Sequence, residues 1–267
     1  MSVYTASNFK SNYGSATGPF NNTLAASVTG LTFQQFATDL ADSVMFYDTF
    51  FNTDVVSFDS WEWFGTDVHG FSSSSSGAGA GNTTSTYGID GTSHAQGVMS
   101  LQTGTTATGY VSFTRGYIVT TTSALTLSFR NAVEAVSTGA QTYTARAGFG
   151  DTVGSGEHAN GIFFRYTHSV NSGKWQCVTR AAGVETATDA GLTADTSFHV
   201  FAIKVNQAGT SVGFYVDGVL KQTHTTDIPA VGALMYQHWK IEKSIGTTSI
   251  GFDQDWFSLL LSRSSAR

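Results

Sequence analysis

Charge is scarce in this chain: 13 Lys and Arg and 19 Asp and Glu among 267 residues, for a formal net charge of -6. So few basic residues leave no electrostatic footprint for duplex DNA or RNA, and no nucleic-acid partner is expected. Proline is nearly absent, with two residues, and the single cysteine, Cys177, excludes an intramolecular disulfide. A lone thiol fits a chain folded in a reducing compartment, and its plainest role is that of a small buried hydrophobe. No run approaches the roughly 18 apolar residues of a membrane span, and the opening "MSVYTASNFKSNYG" has no apolar signal core. Neither membrane insertion nor export by a conventional signal is expected.

What the chain has instead is 29 glycines and abundant Thr and Ser, a composition of strands with hydroxyl-rich outer faces and many tight turns. From about residue 96 the pattern is β to the end. In "ALTLSFRNAV", Leu125, Leu127 and Phe129 alternate with Thr126, Ser128 and Arg130, as a half-buried strand requires. "TYTARAGFG" does the same with Tyr143, Ala145, Ala147 and Phe149. The stretches "NGIFFRYTH", "GKWQCVTR", "FHVFAIKVN", "LMYQHWKIEK" and "IGFDQDWFSLLL" supply further strands, and "FYVDGVLKQTH" reads as a hairpin about a two-residue Asp217-Gly218 turn. Roughly a dozen strands at 8 to 12 residue spacing, without alternating helices, predict an all-β fold: an antiparallel two-sheet β-sandwich, or jelly roll, over residues 57–267.

Residues 1–56 read differently. The first thirty are polar and aperiodic, an arm that orders against something else. "LTFQQFATDLADSVMF" follows with Thr32 and Gln35 spaced as a capping box and Phe33, Phe36, Leu40 and Val44 at helical spacing, which predicts one attachment helix. The aromatic-rich "FDSWEWFGTDVHGF" reads as packing of that helix on the sandwich, with a sugar-stacking platform as the competing reading. "SSSSSGAGAGNTT", residues 72–84, is low in complexity and reads as a surface loop or linker.

The run from "RAGFGD" through "NGIFFRYTHSVNSGKWQCVTRAAGVETATDAG" to "FYVDGVLKQTHTTDIP" and "FDQDWF" resembles the concanavalin A-like (laminin G-like) jelly-roll modules of tailed-bacteriophage structural proteins. The resemblance covers about residues 97–262. It implies a non-enzymatic structural protein of the virion, a capsid decoration, fibre or spike. Such a protein is assembled in the host cytoplasm, bound to other virion proteins through its N-terminal arm, and present as a homo-oligomer such as a trimer. A carbohydrate-recognising adhesin that contacts a host-surface glycan is the alternative, and a glycan-degrading enzyme a further one.

Glycoside hydrolases among jelly-roll relatives need an acid and a nucleophile on one face. Asp253 and Asp255 in "FDQDWF" have the i, i+2 spacing for that, but no Glu-x-Asp-x-x-Glu pattern occurs and no catalytic residue is assigned. There is no Gly-x-Ser-x-Gly elbow, no phosphate loop and no close histidine pair. The best ligand-binding constellation is Arg165, Tyr166 and His168 with Trp175, an aromatic and guanidinium patch suited to sugars or carboxylates if the two strands are hairpin neighbours; the competing reading makes Trp175 core. The sequence calls for no cofactor. Asp151, Glu157 and Asn160 on the Gly-rich "GDTVGSGEHAN" loop are the candidate calcium ligands, weighed against a solvated loop.

Overall fold

The structure, a computed structural model, describes residues 43–48, 71–83, 98–119 and 124–262. These residues form fifteen strands: β1 (Ser43–Asp48), β2 (Phe71–Ser76), β3 (Gly81–Thr83), β4 (Met99–Gln102), β5 (Tyr110–Val119), β6 (Ala124–Val133), β7 (Thr142–Gly150), β8 (Gly161–Thr167), β9 (Lys174–Ala181), β10 (Val184–Thr193), β11 (His199–Val205), β12 (Val212–Val216), β13 (Val219–His224), β14 (Leu234–Ile245) and β15 (Gly251–Ser262). One sheet, A, runs β13-β12-β11-β6-β15-β4-β3, with β1 also paired to β15; the other, B, runs β10-β9-β8-β7-β14-β5-β2. All the recorded pairings within them are antiparallel. The expected two-sheet sandwich is what the chain forms.

Alternation along the strands builds the core. Leu125, Leu127 and Phe129 of β6 meet Ala145, Ala147 and Phe149 of β7 in one apolar cluster between the sheets. Phe129 lies 5.6 Å from Phe201 in its own sheet and packs edge-on at 6.1 Å against Trp239 of the opposite one. Such tilted aromatic pairs add specificity to a core that burial of apolar area already drives. The Asp217-Gly218 turn forms as read: both residues have positive φ, 50° and 79°, as a two-residue turn joining β12 and β13 demands.

Two readings of the N-terminal region are corrected. The attachment helix was expected to continue through Val44, but Ser43–Asp48 is strand β1 along β15. "SVMFYD" is rich in β-favouring residues, and an open ladder beside β15 outweighs a helical spacing of apolar residues. Phe33, Phe36 and Leu40, with the rest of the arm, lie outside the described residues. The serine run is not a loop either. Phe71–Ser76 pairs with β5 at the edge of sheet B, and after a turn at Gly77–Ala80 the chain enters sheet A as β3. Serine has little strand preference, but an edge position asks only for backbone pairing, and Ser74 adds a 3.0 Å hydroxyl bond to Tyr110.

Candidate functional site

Strand alternation separates the four residues read as a binding patch. Tyr166 and Trp175 point between the sheets, 1% and 3% exposed, with ring centres 5.8 Å apart, while Arg165 points away from the core. The Tyr166 hydroxyl accepts the Ser137 N–H at 3.2 Å, and His168 sits half-buried beyond the end of β8. The hairpin neighbours were right, but adjacent residues of one strand cannot share a face, so the patch does not form.

The candidate calcium ligands do not converge. The Asp151 carboxylate is filled by donors of its own loop: the Ala159 N–H at 2.9 Å, the Asn160 N–H at 2.8 Å and the Asn160 side-chain amide at 3.0 Å. The Asn160 side-chain oxygen accepts the Ala182 N–H, and Glu157 reaches the other way, to Arg146. Among the described residues no three His, Cys, Asp or Glu side chains are placed to hold a metal. The acid spacing on β15 fails for a separate reason. A bulge between Gln254 and Trp256 breaks the alternation; Asp255 pairs with Arg130, while Asp253 is buried beside Ser100. Burial pushes the Asp253 carboxyl up to about 7, with Glu134 adding to it.

What the fold does bring together is a polar cluster on the outer face of sheet B. Arg146 on β7, Arg165 on β8, Arg180 on β9, Glu185 on β10 and Lys240 and Glu242 on β14 all project from that face. The loop joining β7 to β8, residues 151–160, folds down over it. Glu157 forms an ion pair with Arg146 and lies 3.9 Å from Arg165, and Arg165 makes a two-pronged pair with Glu185 at 2.9 and 3.1 Å. Lys240, fully buried, donates to the carbonyls of Gly154 at 2.9 Å and Gly156 at 2.5 Å. Glu242 accepts the Gly156 N–H at 3.1 Å. His158 accepts the Thr152 N–H on Nδ1 and packs edge-on against His238, ring centres 4.6 Å apart. Gly150 is required there, because a Cβ would collide with the His158 ring.

The electrostatics follow from burial among cations. Desolvation first, then Lys240 and Arg146, push His158 down to about 3, and His238 is held well below the usual imidazole range by burial and by His158. Burial, with Arg146 behind it, lowers Lys240 to about 8. Burial also works to raise Glu157, but Arg146, Arg165 and Lys240 outweigh it and keep the carboxyl below its usual range; hydrogen bonds from Arg165 do the same for Glu185. As arranged, Glu157 and Glu185 are acceptors rather than proton donors.

The sequence carries a signal for this face in "LMYQHWKIEK" and "TYTARAGFG". His238, Lys240 and Glu242 alternate with Trp239 and Ile241, and Arg146 alternates with Ala145 and Ala147. What was not legible is the loop that covers them.

The two antiparallel sheets and the core between them form a jelly-roll sandwich, a fold also found in a glucanase and in a carbohydrate recognition domain. Within that fold, the chain belongs to the family described as SO2946-like, C-terminal domain, whose model matches residues 94–252. Among solved structures it is similar to an endo-1,3-β-glucanase from Streptomyces sioyaensis, at 12% identity and a TM-score of 0.55, over 83% of this chain and 97% of that one. It is also similar to the carbohydrate recognition domain of Emp47p, at 8% identity and a TM-score of 0.51, over 84% and 96%. A carbohydrate esterase from the Shiga toxin-encoding bacteriophage phi24B matches at 12% identity and a TM-score of 0.44, over 71% and 90%. At these identities the likeness is one of fold. No curated protein sequence matches the chain.

Proposed function

We propose that the chain is a non-enzymatic structural protein of a tailed-phage particle, attached to other virion proteins through its N-terminal residues and displaying the jelly-roll domain outward. The observation that carries the non-enzymatic part is the state of the carboxylates. On sheet B, Glu157, Glu185 and Glu242 are each committed to cations or backbone donors. On sheet A, Asp253 has the protonation of a general acid, but its neighbour at i+2 is turned aside by the bulge and paired with Arg130. The particle assignment is supported by the run from "RAGFGD" to "FDQDWF", whose order of elements resembles that of phage jelly-roll modules.

Co-sedimentation tests this. The full chain is expected to pellet with particles, and a chain lacking residues 1–42, which keeps β1 beside β15, is expected to stay folded and remain in the supernatant. Equal pelleting of both chains, or of neither, refutes the attachment.

A further inference from the structure

Buried polar atoms in folded proteins nearly always have hydrogen-bond partners, so a cluster of exceptions marks a place where a partner belongs. Among the described residues nine buried side-chain polar atoms have none, and four of them, Arg146 Nη1, His158 Nε2, Arg180 Nε and His238 Nε2, belong to the outer face of sheet B and its covering loop. Arg146, His158 and His238 are each at most 4% exposed. Arg146 Nη1 has only a long ion-pair contact to Glu242, at 3.5 Å. Arg146, Arg165 and Lys240 all act to keep the Glu157 carboxylate charged, while Arg165 also pairs with Glu185 and Arg146 and Lys240 lie 3.5 and 3.9 Å from Glu242. Glu157 is also the solvent-facing member of that group: its side chain is 39% exposed, against 5% for Arg146 and 11% for Arg165.

We infer that this face is a binding site for a small carboxylate that also carries hydroxyl groups, the chemistry of a uronic acid, and that Glu157 occupies its anion position. The incoming carboxylate takes the place of Glu157 on Arg146 and Arg165. With Nδ1 of His158 accepting from Thr152, its Nε2 carries the proton and is a donor for a ligand hydroxyl, and the His238 ring stands beside it. The loop opens at Gly154 and Gly156. Gly156 has φ +91° and open space where a side chain would be, so opening gives up its bonds to Lys240 and Glu242 without displacing a packed side chain of its own. Lys240 then exchanges the two loop carbonyls for the ligand. Glu157 is thus a built-in competitor, and the native chain's affinity is reduced by the fraction of time the loop is closed. This inference is independent of where the chain is assembled.

The test is an NMR titration of the full chain and of Glu157→Gln with D-glucuronate, D-glucose and acetate. Glu157→Gln is expected to bind glucuronate about tenfold more tightly than the native chain, because the competing charge is gone. Glucose and acetate, each carrying half of the chemistry, are expected to bind at least about tenfold more weakly than glucuronate, and Arg146→Gln in the Glu157→Gln background is expected to abolish binding. A glucuronate-containing oligosaccharide that binds more tightly than the free acid assigns the site to a polysaccharide; equal affinity assigns it to a free hydroxy acid. Equal glucuronate affinity in the native chain and Glu157→Gln, or glucuronate no better than acetate, overturns the inference. Amide exchange of the native chain checks it without any variant. The Thr152, Ala159 and Asn160 amides are expected to exchange faster than those of β14, and exchange of both only through global unfolding means that the face never opens.

Discussion

Replacing Trp175 by alanine separates a core residue from a binding residue. The indole is 3% exposed and packs against Tyr166 at 5.8 Å, Phe201 at 5.1 Å and Phe252 at 6.2 Å, so it joins sheet B to sheet A. Truncating a buried tryptophan removes its transfer free energy and leaves a cavity that a close-packed aromatic cluster cannot collapse around, a loss of about 3–5 kcal/mol. In urea, with an m-value of about 2.5 kcal/mol/M, a loss near the middle of that range lowers the unfolding midpoint by about 1.5 M. His168→Ala is the matched control, since that side chain is half-buried at the end of β8 and its loss is expected to stay within about 0.5 kcal/mol. Equilibrium urea unfolding followed by far-UV circular dichroism reads both. A Trp175→Ala loss under about 1 kcal/mol refutes the packing argument and returns Trp175 to the surface.

Other consequences follow from the same geometry. Asp253 binds its proton up to about pH 7 in the fold but only to the ordinary carboxylate range when unfolded, so its own contribution to native stability is expected to fall as pH rises between about 4 and 7, against the rise that the buried neutral His158 and His238 contribute below about pH 6.5. Asp253→Asn removes that slope, a difference of about 4 kcal/mol at pH 8 measured by urea midpoints; parallel profiles contradict the assignment. Lys240 has the opposite sign. Its folded pKa, about 8, lies below the unfolded value, so its contribution to native stability rises from about pH 8 to 10.5, and the Lys240→Met profile is expected to lack that contribution relative to the native chain. Cys177 is buried with its thiol pushed up by desolvation, and a thiol reagent is expected to label it only on unfolding; labelling of the folded chain overturns that placement. Asp253→Asn and Asp255→Asn are expected to leave glucan breakdown at the same blank level as the native chain, and release of reducing ends by the native chain that either variant abolishes reverses the non-enzymatic reading.

The fold was legible because strand alternation is a strong local pattern: Leu125, Leu127, Phe129 and Tyr143, Ala145, Ala147, Phe149 are core where their spacing placed them. The Asp217-Gly218 turn was legible because few residue pairs tolerate two successive positive φ values. The serine strand was not, since Phe71–Ser76 is held by pairing with β5, a partner about forty residues away whose register no local pattern records. The binding patch was misread by treating neighbours in sequence as neighbours on a face, which Arg165 and Tyr166 are not. The outer face of sheet B was half legible: the alternation gave Arg146, Lys240 and Glu242, whereas Glu157 and the Gly154 and Gly156 carbonyls reach them only by the path of the loop. Asp255 shows the same limit, because the bulge that turns it to Arg130 lies in the sheet pairing and not in its spacing from Asp253.

The central claim is that this jelly roll is carried on a phage particle. Electron microscopy of intact particles with an antibody against the sandwich tests it most directly. Label is expected at regular positions on the head or the tail. Particles free of label, with the chain recovered only in the soluble fraction, contradict it.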